Sequence, residues 1–137
     1  AHSSGSALVR GFETAMAEGG SVSQGARKDW EEGKLTPERI YWYARQGEPA
    51  AQSLFARMGW ALGLALAGLF TVLGIRHAVL GGGVSASWDQ FHDPLLKSLS
   101  RNSSMLDPAD AVILRSELGD RAALLGAAKL AWEGCGP

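Results

Sequence analysis

The sequence predicts an α/β domain, rich in helix, with one short parallel β-α-β unit. Three observations carry this. A strand-like stretch, Ile75 to Leu80, ends in the apolar pair Val79-Leu80 and stops at Gly81-Gly82-Gly83. An amphipathic segment then begins near Trp88, and a second apolar run, Ala111-Val112-Ile113-Leu114, follows the turn Asn102-Ser103-Ser104. Two strands joined through a helix pair in parallel, with a right-handed crossover as the rule.

The elements follow in order. Leu8, Phe12, Ala15 and Met16 recur at helical spacing between Ser6 and Ala17, and Gly19-Gly20 ends that helix. Residues 21–33 are polar and contain glycine. They read as a mobile connection in which Trp30 alone is anchored. Thr36-Pro37-Glu38-Arg39 is a helix start, with Thr36 as cap, Pro37 at the first helical position and an acid in the first turn. This helix runs through Ile40, Tyr41 and Tyr43 to Gly47. Glu48-Pro49 opens a long helix that ends near Gly74. The strand Ile75–Leu80 reads as buried, with Ile75, His77 and Val79 on one face and Arg76, Ala78 and Leu80 on the other. A helix from Trp88 to Leu99, the strand at 111–114 and a last helix from Arg121 to Trp132, capped by Gly119-Asp120, complete the chain.

The long helix raises the question of a membrane, because no charge lies between Arg57 and Arg76 and Gly59 and Gly63 form a GxxxG pair. The polar helix before it and the strand after it favour the central helix of an α/β domain, with Trp60 as the most buried tryptophan. No membrane partner is expected. With 13 Lys+Arg against 14 Asp+Glu, the chain has no basic stripe and no arginine–aromatic ladder, so direct nucleic-acid binding is not expected either. Cys135 is the single cysteine. It can form neither an internal disulfide nor a cysteine zinc site, and it fits a reducing, cytoplasmic compartment. Ala1-His2-Ser3-Ser4-Gly5 lacks the basic and apolar regions of a signal peptide.

Gly81, Gly82 and Gly83, with Val84 after them, are the candidate binding residues. Three residues without side chains let a ligand approach the backbone, and their freedom in φ lets several N–H groups face one point. Strand, glycine turn and helix start, in that order, suit a nucleotide or phosphate. The run matches neither the dinucleotide fingerprint nor the Walker A pattern, and a flexible turn without a ligand is the plain alternative.

The order of the pieces resembles the C-terminal part of the ROK family (repressors, open reading frames, kinases). Ser4-Gly5-Ser6-Ala7-Leu8 is similar to the small-residue helix start that follows the family's zinc motif and sugar-binding glutamate. Thr36 to Ile40 and Ala44 to Ala51 resemble its "A-x-x-G-D-x-x-A" passage, and Gly63 to Leu69 its Gly/Ala-rich helix. Leu80-Gly81-Gly82-Gly83-Val84-Ser85 matches "GGGVS", and Leu118-Gly119-Asp120 with Leu125-Gly126-Ala127-Ala128 matches the closing "LGD…GAA". The resemblance implies the C-terminal lobe of a ribonuclease H-like, actin-like ATPase fold, with residues 1–137 as one domain. It places Gly81–Val84 on the adenosine and α-phosphate side of ATP, and Ser4 and Gly5 near the cleft.

Upstream of the matching residues, the family carries a DxGxT phosphate loop, a catalytic aspartate and a cysteine-rich zinc site, and none of these motifs occurs in this chain. The expected function is therefore a fragment of an ATP-dependent, glucokinase-like sugar kinase, inactive alone, with sugar and ATP–Mg²⁺ as ligands of the intact, oligomeric parent. Two other readings stay open: the effector lobe of a sugar-responsive ROK repressor, and a stand-alone interaction domain. No catalytic residue and no metal ligand is assigned. His2 matches no catalytic position and reads as a solvated terminus. His77 reads as a sheet histidine, and His92-Asp93 lacks a third ligand for zinc. Asp89 and Asp93 read as a solvated helix face near a helix N-terminus, where acids are favoured. Glu31-Glu32, Asp107 and Asp110 read as surface or capping groups.

Overall fold

A computed structural model describes residues 5–20, 22–103, 110–119 and 121–134. Helix α1 (Gly5–Ala17) buries Leu8, Phe12 and Met16, which lie four apart and so share one face. Gly19 leaves the helix at φ 79°, in the left-handed region. The stretch read as a mobile connection instead contains α2 (Gln24–Glu31), capped by Ser23, whose Oγ accepts from Ala26 N at 3.4 Å. Its buried residues are Ala26 and Asp29, so its inner face carries a carboxylate. Asp29 Oδ2 accepts from Tyr43 Oη and Arg39 Nε, each at 2.6 Å. A second long-range tie comes from Glu48, whose buried carboxylate accepts from Ser23 N at 2.9 Å.

Helix α3 (Pro37–Arg45) starts as its sequence predicts. Thr36 Oγ1 accepts from Arg39 N at 3.2 Å, and Pro37 occupies the first turn. Ile40, Tyr43 and Ala44 form its buried face. Gly47, at φ 87°, turns the chain into α4 (Pro49–Leu73), which Gly74 closes at φ 65°.

The most extensive packing in the molecule is α4 against α5 (Trp88–Asn102). Gly59 and Gly63 make it possible. A Cβ on Gly59 would run into the carbonyl oxygen of Phe91, and one on Gly63 into that of Leu95. Ser98, fully buried, donates from Oγ to the Trp60 carbonyl at 2.7 Å and stitches the two helices together. Pro94 lies inside α5, where a Cβ on Gly59 would stand only 3.0 Å from it. The core gathers Phe12, Phe55, Phe70 and Phe91 from α1, α4 and α5, with Leu8, Ile40, Met58, Leu95 and Leu99 around them.

Two expectations about α4 need correction. Trp60 is not the most buried tryptophan: it is 40% exposed and lies under the Arg101 guanidinium, 5.9 Å from the ring centroid. Nor is the helix covered on nearly every side, because Leu64, Leu69, Val72 and Leu73 are exposed. By length and composition α4 could cross a membrane, and 33% of its most apolar stretch is buried. In this fold its glycine face is occupied by α5.

Strands β1 (His77–Leu80) and β2 (Val112–Arg115) pair in parallel, from His77 opposite Val112 to Leu80 opposite Arg115. Strand β1 begins two residues later than Ile75, although the Arg76 carbonyl already accepts from Val112 N at 2.8 Å, and the Arg76 side chain pairs with Asp110 at 2.7 Å. The predicted alternation holds. Ala78 and Leu80 pack against the core, while His77 and Val79 point outward. The strand is nonetheless not buried: among the described residues nothing covers its outer face, where Val79 is 64% exposed. Helix α6 (Arg121–Gly134) buries none of its residues.

Candidate functional site

A concavity opens where β1 ends. A short 3₁₀ turn (Gly83–Ser87) connects Gly82 to α5. Gly82 adopts φ 84° and ψ 174°, a conformation that side chains disfavour, and no atom lies within 4 Å of where its Cβ would be. Gly81 is held close to the neighbouring strand's exit, its Cβ position 3.3 Å from Ser116 Cβ. Ser116 N extends the ladder by donating to the Leu80 carbonyl at 2.8 Å.

Two buried serines set the turn. Ser85 Oγ donates to the Gly82 carbonyl at 2.7 Å, and Ser87 Oγ donates to the Val84 carbonyl at 2.8 Å. Both hydroxyls are therefore used in shaping the backbone. Both acceptors are carbonyls, and the first N–H groups of a helical turn have no partner within the turn itself. A cleft of about 540 Å³ opens at this corner. Gly81, Gly82, Gly83 and Val84 all line it, with Gly5 at the start of α1 and Pro37, Glu38 and Tyr41 on α3. This volume lies within the range of small-molecule sites, roughly 300–1,000 Å³.

The sequence-predicted residues are thus brought together at one place, with Gly81–Val84 and Gly5 around one cleft. Ser4 and His2 lie outside the described residues, as do Asp107, Asp120 and Cys135. The α3 wall is what sequence reasoning missed. Gly5 approaches it so closely that a Cβ there would meet Pro37 Cγ at 2.9 Å. Glu38 is held below the usual carboxylate range by its own backbone N–H and by the Thr36 hydroxyl. Tyr41 donates from Oη to Asp89 Oδ1 at 2.8 Å, and its ring edge meets fully buried Phe55 at a centroid distance of 6.2 Å. Partial burial and the bond to Asp89 hold its phenol above the ordinary value. Burial opposes the charge on Asp89, yet hydrogen bonds from Gln90 and Tyr41 outweigh it and keep that carboxyl below its usual range. Asp89 is therefore more than a solvated acid near a helix start, because it ties α5 to α3. A signal was available in the spacing, since Ile40, Tyr43 and Ala44 take the core face and leave Tyr41 beside it.

The other candidates behave as surface groups. His77 is exposed on the open sheet face. His92 stacks on Trp88 at 4.5 Å and lies 3.8 Å from Asp93. Asp110 pairs with Arg76. Among the described residues no group of three or more His, Cys, Asp or Glu side chains could hold a metal.

Known proteins share this fold and parts of this sequence. The ROK family profile matches residues 1–133. Glucokinases from Streptomyces coelicolor and Streptomyces lividans are each 34% identical over 93 residues, covering 66% of this chain and 29% of theirs. A ROK family glucokinase from Streptomyces griseus, solved with glucose and AMPPNP, superimposes with a TM-score of 0.76 at 30% identity, over 96% of this chain and 43% of that one. A candidate sugar kinase from Cytophaga hutchinsonii gives a TM-score of 0.78 at 26% identity, over 93% of this chain and 42% of its own. The chain therefore spans less than half the length of the relatives it matches, and its fold is that of part of an actin-like sugar kinase. A family match over nearly the whole sequence, with the glycine corner at a cleft, leaves one assignment: the chain belongs to the ROK family.

Proposed function

We propose that residues 1–137 form the C-terminal, nucleotide-side lobe of an ATP-dependent, glucokinase-like sugar kinase. In this reading Gly81, Gly82, Gly83 and Val84 receive the adenosine and α-phosphate end of ATP, and Gly5, with Ser4 before it, lines the approach between nucleotide and sugar. The observation that carries it is the cleft of about 540 Å³ walled by all four of those corner residues. Backbone N–H groups at the opening of a helical turn are suited to phosphate oxygens. The solved relative holding glucose and AMPPNP supports sugar and ATP as the parent's ligands. A cytoplasmic location follows from that substrate pair. Mg²⁺ would accompany ATP in phosphoryl transfer, but no cluster among the described residues here could hold it, so no step through it is assigned to this chain.

The chain's own contribution is to bind and orient. Its sequence contains no DxGxT loop to grip the β- and γ-phosphates. Nor does it carry a match to the family's catalytic-aspartate motif. It is therefore proposed not to phosphorylate sugar by itself. The test is thermal stabilisation by Mg-ADP in wild type and in Gly82→Leu. The leucine side chain starts in open space at a residue lining the cleft, and the backbone conformation of Gly82, φ 84° with ψ 174°, adds about 1–3 kcal/mol of strain for any side chain. At a hundred times its dissociation constant a ligand stabilises by about 2.7 kcal/mol. Wild type should show that upward shift and Gly82→Leu should not, each against its own ligand-free baseline. No shift in wild type would overturn the proposal.

A further inference from the structure

We propose that Tyr41 is the base-recognition wall of the cleft, the flat surface on which the purine of a nucleotide lies, and that Asp89 positions it. The inference rests on the nucleotide reading above and gives it a direction. The cleft is chemically lopsided. Its glycine end offers backbone N–H groups, which suit phosphate. Its α3 end carries Glu38, one helical turn before Tyr41 and on the same face, with its charge stabilised. Asp89, also ionised, stands behind the phenol. Two carboxylates repel a polyphosphate from that end, so the uncharged part of the ligand belongs there.

Tyr41 is built for such a role. Its ring cannot rotate freely, because one edge abuts Phe55 at an interplanar angle of 78° and its hydroxyl is tied to Asp89 at 2.8 Å. A ring fixed before the ligand arrives loses little freedom on stacking. Leu8, Pro37 and Val84 share the cavity with it and supply apolar surface for the remaining edges of a base. A structural tie uses the hydroxyl on Asp89 and the ring edge on Phe55, whereas a recognition role also moves the affinity for a base, which a structural role alone would not.

Isothermal titration of the chain with Mg-ADP, Mg-UDP and tripolyphosphate separates the two roles. Stacking on one aromatic ring corresponds to roughly five- to a hundred-fold in affinity. Tyr41→Leu should weaken ADP by about ten-fold, leave tripolyphosphate within about two-fold and erase the preference for ADP over UDP. Tyr41→Phe retains the ring and should retain that preference. Equal ADP affinity in Tyr41→Leu and wild type overturns the inference alone, and so does a parallel loss of ADP and tripolyphosphate. A wild-type chain that binds tripolyphosphate as tightly as ADP overturns it while leaving phosphate recognition intact. Wild type binding none of the three removes the proposed function as well.

Discussion

Replacing Gly63 by alanine tests how the cleft's supporting helices are held. An alanine inside a helix ordinarily gains about 1 kcal/mol over glycine from backbone entropy. At position 63 the added methyl would meet the Leu95 carbonyl, with Ser98 Cβ at 2.7 Å and Leu99 N at 3.0 Å. Two of those three neighbours are helix backbone, which cannot rotate away as a flexible side chain can. The helices must instead part by about 1 Å, at an overpacking cost of roughly 1–3 kcal/mol or more. That movement would also stretch the Ser98–Trp60 hydrogen bond, whose loss costs about 1 kcal/mol. The net expectation for Gly63→Ala is a destabilisation of about 1–3 kcal/mol. Gly68, on the same helix, has nothing within 4 Å of its Cβ position, so Gly68→Ala should stabilise by up to about 1 kcal/mol. Urea unfolding reads both as shifts of the midpoint at unchanged slope. If the two variants shift the midpoint in the same direction, close α4–α5 packing is refuted.

Two further perturbations address the ties around α3. Thr36→Ala removes the acceptor for Arg39 N and should cost about 1 kcal/mol in urea unfolding; an unchanged midpoint would show that water caps the helix equally well. The Asp29 carboxyl is held below its usual value of 3.8 first by the Tyr43 hydroxyl and then by Arg39. A depressed folded value means that its contribution is complete above the unfolded value, near pH 4, and is lost as the pH falls through the folded one. Tyr43→Phe should raise the Asp29 titration midpoint measured by carboxyl NMR. A midpoint that stays put would remove Tyr43 as the main cause.

Particular residues show why parts of this fold were legible in the sequence and others were not. Thr36-Pro37 announces a helix start through purely local chemistry, and the start is where the spacing puts it. Gly81–Gly83 likewise mark a backbone approach, and the structure opens a cleft at that spot. Helix α2 escaped because its inner face is Asp29, a residue that reads as solvent-facing until Tyr43 and Arg39 arrive from α3 to satisfy it. Trp60 was misjudged because α4 is apolar all round, and such a helix does not declare which side will be covered. The α3 wall was missed for a related reason. Tyr41 belongs to an ordinary amphipathic pattern, and only tertiary packing brings it opposite the glycines.

The glycine corner hangs between unequal neighbours. On one side is α5, clamped along its length to α4. On the other is a ribbon that, among the described residues, has two strands and an uncovered outer face, and two strands alone are marginal in water. A molecule seated at the corner would find half its cradle already rigid and would stiffen the other half by arriving. Its imprint on amide exchange would then be one-sided, with slowing concentrated at His77–Leu80 and Val112–Arg115 and scarcely felt in the helical pair beyond.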